Sequence, residues 1–122
     1  MITINIFQTT REKIDQKEIK SIILDYLVKK KTKKRIILDV LIINKEKIQL
    51  LNKKYRKINE ATDVLSFPVA SPAREKQAIY NLGSLVICPE IVWKNAKTFQ
   101  KDPDEELKKV IIHSLNHLWN QK

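Results

Sequence analysis

One cysteine, one glycine and two histidines are all that 122 residues contain of those types. Each scarcity narrows the possibilities. Cys88 stands alone, so no internal disulfide can form, and a cytoplasmic setting fits best. No apolar run approaches the roughly 20 residues of a membrane span. The opening stretch, Met1 to Thr10, alternates like a strand and lacks the basic start and apolar core of a signal peptide. Repeats and low-complexity linkers are missing too. Hydrophobic residues reach 43%, which speaks against disorder. A single domain over 1–122 is expected, long enough to bury one core.

Acidic side chains are scarce in one half only. Residues 1–60 hold 16 basic against 7 acidic residues, and residues 61–122 hold 8 against 7. The net charge of +10 is therefore carried almost wholly by the first half. Its densest run is Lys29-Lys30-Lys31-Thr32-Lys33-Lys34-Arg35, and Lys53, Lys54, Arg56 and Lys57 form a second group. Clustered basic charge is the expected footprint of a phosphate-rich partner. A codon bias towards Lys, Ile and Asn would produce the same composition.

Hydrophobic periodicity and turn residues predict four strands and four helices. Thr3 to Phe7 is a strand with Ile2, Ile4 and Ile6 on one face. Asp15 caps a helix to about Lys30, with Ile19, Ile22, Ile23, Tyr26 and Leu27 as its apolar stripe. Arg35 to Ile43 reads as a strand buried on both faces. Asn44 caps a helix over 45–57 with Ile48, Leu51 and Tyr55 inward. Asp63 to Val69 and Ser84 to Cys88 are short strands. A loop from Ser71 to Asn81 lies between them, and Gly83 immediately precedes the fourth strand. Pro89 opens a third helix to about Phe99. Asp102 caps the last helix, with Pro103 at its first position and Asp104, Glu105 and Glu106 at its positive end. The order argues for an α+β or α/β layered fold with a small mixed sheet; α+β, with helices packed on four strands, is the expectation.

Both histidines sit on that last helix. His113 and His117 are four apart, so they project from neighbouring turns and one metal ion is within reach of both. They flank the apolar stripe of Leu107, Val110, Ile111, Leu115 and Leu118, which suits a cleft edge and suits surface histidines equally. Ser114 stands where a metalloprotease helix carries its general-base glutamate, so peptide hydrolysis is disfavoured. Thr62-Asp63-Val64-Leu65-Ser66-Phe67-Pro68 is a turn entering a strand. Leu82-Gly83 leads into Ser84 to Glu90, where Cys88 is either a small core residue or a metal ligand.

Together these segments resemble the YbeY family of bacterial rRNA maturation factors. Thr62 to Pro68 match that family's Thr-Asp-Val-Leu-Ser-Phe-Pro signature throughout. Leu51-Asn52 with Tyr55-Arg56 resembles the approach to it, and His113 and His117 align with the first two histidines of the motif His-Gly-x-x-His-x-x-Gly-x-Asp-His. The resemblance covers roughly residues 35–119. It implies a single-strand-specific endoribonuclease acting in 16S rRNA maturation and ribosome quality control. It also implies a zinc held by His113, His117 and a third histidine. Arg56 would be the catalytic arginine of a basic cleft, contacting RNA with Lys53 and Lys57 beside it. The implied partners are rRNA and the small ribosomal subunit, with an Era-type GTPase and ribosomal proteins, and no membrane. A guanidinium at position 56 would bind phosphate or stabilise charge during cleavage; by itself it reads equally as a surface ion pair.

The departures gather at the motif's end. Ser114 replaces its glycine and Asn116 a usually apolar residue; Asn120, Gln121 and Lys122 replace Gly, an aromatic position and Asp. The third histidine would fall one position past Lys122, and Ser84 stands where aspartate is usual. Water, Cys88, Asp63 or a second chain would have to stand in. Three expectations follow: a nuclease with a reduced metal site, a catalytically impaired rRNA- and ribosome-binding biogenesis factor, or a degenerating relative with little activity of any kind.

Overall fold

A computed structural model describes residues 1–69 and 78–120. Its elements run β1 (Ile2–Gln8), α1 (Gln16–Val28), β2 (Arg35–Ile42), α2 (Lys45–Arg56), β3 (Val64–Phe67), β4 (Ile79–Ile87), α3 (Pro89–Thr98) and α4 (Pro103–Trp119). The expected α+β fold is the one observed. The sheet order is β1-β2-β4-β3. β1, β2 and β4 are parallel, and β3 closes one edge antiparallel to β4.

The helix starts are where the capping residues predicted them. Asp15 accepts from the N–H groups of Lys17 and Glu18, Asn44 from Lys47, and Asp102 from Asp104. Each such cap is worth about 1 kcal/mol. α1, α3 and α4 cover one face of the sheet. Ile19, Ile23 and Leu27 of α1 and Leu107, Ile111, Leu115 and Leu118 of α4 meet Ile36, Leu38, Val40 and Ile42 of β2 there. α2 lies over the other face, where Ile48 joins Ile43, Leu65, Val86 and Cys88 in a smaller cluster.

Several boundaries differ from expectation. β4 begins at Ile79, so Gly83 lies inside it, and the expected loop gives up 79–81 to the strand. The rest of that loop falls mainly outside the described residues. β3 stops at Phe67 rather than Val69. β2 buries one face fully and the other only partly. Tyr55 faces solvent at 56% exposure, not inward.

Gly83 explains the longer strand. Opposite β2, Asn81 pairs with Ile37 and Gly83 with Leu38, so Leu82 is an extra, bulged residue. A bulge reverses the alternation of a strand. Hence Leu82 and Leu85, three apart, both enter the α1/α4 core. Gly83 takes φ +102°, and a Cβ there would lie 2.1 Å from the Phe67 carbonyl oxygen. Asn81 Oδ1 accepts from Gly83 N–H and braces the bulge.

Candidate active site

The cleft forms where the sheet runs out. β3 is an edge strand, and its outer side opens between the C-terminal end of α2 and the C-terminal half of α4. The hollow has a volume of about 570 Å³ and is lined by Arg56, Thr62, Ser66, His113, Ser114 and His117 among others. Two distant stretches of sequence meet here.

Arg56 reaches the cleft because of how α2 ends. Lys57 adopts a left-handed conformation at φ 60°, and its N–H caps the Asn52 and Lys53 carbonyls. A non-glycine residue in that region costs about 1 kcal/mol or more, and it stops the helix just after Arg56. The guanidinium Nη2 then donates to the Ser66 carbonyl at 2.8 Å. This occupies one carbonyl of the open strand edge and leaves other guanidinium N–H groups for an incoming anion. Asn52 is 5% exposed and donates from Nδ2 to the Glu60 carbonyl, which shapes the turn into β3. Cys88 N–H donates to the Asp63 carbonyl and fixes the far end of that turn.

His113 and His117 stand exposed on α4 with their Nε2 atoms 3.2 Å apart and their rings nearly perpendicular. Two imidazole nitrogens on a tetrahedral zinc, with bonds of about 2.0–2.1 Å, lie about 3.3 Å apart. The pair therefore fits two corners of such a site. Among the described residues, no group of three His, Cys, Asp or Glu side chains is placed to hold a metal. Asp63 does not line the cleft. Cys88 is fully buried in the smaller cluster, and burial pushes its thiol pKa up, away from the thiolate a metal needs. What the structure supplies is a two-histidine seat.

Lys53 and Lys57 are exposed at the same end of α2 but do not line the hollow. They add positive charge at its rim. Three residues have structural roles that their place in the sequence did not show. Asn52 holds the entry turn, and the buried Ser114 lies between the histidines where a larger side chain would fill the floor. Glu106, expected at the exposed helix start, is 2% exposed. Lys109 Nζ lies 2.8 Å from its Oε1 and pairs with it. Only the apolar residues around Glu106, at 107 and 110, hinted at its burial.

The chain is an α+β protein in which two histidines of the last helix and an arginine at the end of α2 line one cleft beside the edge strand. It resembles the solution structure of TM1509 from Thermotoga maritima with a TM-score of 0.62 and 27% identity, over 100% of this chain and 74% of that one. The profile described as Endoribonuclease YbeY matches residues 4–120, and the chain belongs to that family. Proteins named Endoribonuclease YbeY are similar to it. The one from Sulfurovum sp. (strain NBC37-1) is 44% identical over 75 residues, 60% of this chain and 50% of its own length. The one from Wigglesworthia glossinidia brevipalpis is 38% identical over 100 residues, 82% of this chain and 60% of its own length. The chain thus spans about half the length of curated relatives it matches. No helix among the described residues is long and apolar enough to cross a membrane.

Proposed function

We propose that the protein is a metal-dependent endoribonuclease that cuts single-stranded RNA in this cleft. The observation that carries the reading is the convergence of Arg56, from α2, with His113 and His117, from α4, in one hollow. Arg56 binds a phosphate beside the strand edge and holds it in place through its own anchor on Ser66 O. As the scissile phosphate gains charge, the same guanidinium stabilises it. His113 and His117 would hold a divalent cation, such as zinc, which when bound would supply Lewis acidity for phosphodiester cleavage. Family membership supports RNA as the substrate. Maturation of 16S rRNA, ribosome quality control and a cytoplasmic location belong to the same proposal. So do contacts with the small ribosomal subunit, ribosomal proteins and an Era-type GTPase.

One observation favours a second reading. The described residues offer only two histidines to a metal, as a binding-only biogenesis factor would. The test is cleavage of a fluorescent single-stranded RNA across a zinc and manganese titration, with His113→Ala/His117→Ala alongside. Metal-stimulated cutting that the double variant abolishes supports the nuclease. RNA binding without cleavage at any metal concentration, unchanged in the double variant, establishes the binding factor instead.

A further inference from the structure

The densest basic run takes no part in the cleft. Residues 29–34 connect α1 to β2, and together with Arg35, the first residue of β2, they hold six basic side chains and no acidic one. Lys29, Lys30, Lys31, Lys33 and Arg35 are exposed. Beside them stand three of the chain's eight aromatic residues, Tyr26, Tyr80 and Trp119, all half-buried. Lys30 Nζ lies 4.7 Å from the Tyr26 ring centre and 5.5 Å from that of Trp119. Lys34 Nζ lies 4.6 Å from the Tyr80 ring centre. Tyr80 and Trp119 meet edge to face at 5.8 Å. Residues from α1, β4 and α4 thus converge on one basic, aromatic surface.

That surface is continuous with the histidine pair. The Tyr26 hydroxyl donates to Asn116 Oδ1 on α4. Asn116, His113, His117 and Asn120 line a shallow hollow of about 240 Å³ on the side of α4 towards α1.

We propose that this cluster is a second RNA subsite, gripping the single strand after it has crossed α4 so that RNA is held on both sides of the histidines. The proposal rests on the reading of the cleft as an RNA site. Phosphates meet the lysines of the run, and bases meet the aromatic rings, a combination suited to single strands of any sequence. A short strand seated in the cleft alone does not reach the cluster. A longer one does.

The test is fluorescence anisotropy of 5′-fluorescein oligouridylates of about two and about 16 nucleotides, in chelator, over a salt series. Lys30→Ala/Lys34→Ala should weaken the longer strand about 10–25-fold at 0.1 M salt and lower its salt slope by about 1.4, the loss of two phosphate contacts. The short strand should bind as it does to the wild type. Lys30→Arg/Lys34→Arg, which keeps charge and stacking, should restore the long-strand affinity. Equal losses on both lengths, or none on either, would overturn the subsite. Cleavage of the short strand with metal reads the cleft separately. Absent cleavage with the length-dependent loss intact would sink the nuclease and leave the subsite standing.

Discussion

Replacing Gly83 by alanine should unseat β3 and, with it, the anchor of Arg56. The new Cβ would start 2.1 Å from the Phe67 carbonyl oxygen, with Pro68 Cα and Val69 N each at 3.0 Å. These are backbone atoms and cannot rotate away. Restoring a tolerable 3.0 Å requires a shift of about 0.9 Å, and crowding of this kind costs about 1–3 kcal/mol. At φ +102° the alanine is also strained, by about 1–3 kcal/mol more. The sum, about 2–6 kcal/mol, is a large share of the ~5–15 kcal/mol that holds a domain together. At roughly 4 °C per kcal/mol the midpoint should fall by about 8–24 °C. Thermal unfolding followed by circular dichroism measures this, with Ser84→Ala as the control. At temperatures where the variant stays folded, RNA cleavage should still be impaired, because Ser66 O rides on the displaced strand. A Gly83→Ala midpoint within about 2 °C of the wild type would refute the claim that the bulge demands glycine.

Three further outcomes are expected. Arg56→Ala should reduce RNA cleavage about 100-fold and RNA binding much less, measured by cleavage rate and anisotropy; equal losses would make Arg56 a binding residue only. His117→Ala should abolish retention of a divalent cation by untagged, dialysed protein, read by elemental analysis, whereas Cys88→Ala should leave it unchanged; loss in both would bring Cys88 into the site. Burial raises the Cys88 pKa, so the folded state keeps a proton that the unfolded chain releases above about pH 8.5. Its contribution is therefore intact below that pH and is lost as pH rises towards the folded pKa. Urea midpoints should decline with alkali in the wild type and less steeply in Cys88→Ala, and a folded protein whose thiol reacts as fast as free cysteine would contradict the burial.

The features legible in the sequence are the local ones. Asp15, Asn44 and Asp102 cap helices because a short polar side chain can reach the next N–H groups without help from the rest of the chain. The stripe from Leu107 to Leu118 and the i, i+4 histidines follow from helix geometry alone. The match of residues 62–68 to the family's signature also stands in the sequence, independent of any tertiary contact.

What the tertiary structure decided is non-local. The bulge at Leu82-Gly83 exists only because β2 lies beside β4, and the parity of a strand is set by its partner. Tyr55 reads as inward on an isolated helix wheel, yet it is exposed and meets Phe67 of β3 edge to face. Glu106 is buried by what packs against it, not by its own polarity. The meeting of Arg56 with His113 and His117, 57 and 61 residues apart in sequence, is the same kind of fact. Spacing along one helix can pair two histidines, but only the sheet between α2 and α4 brings an arginine to them.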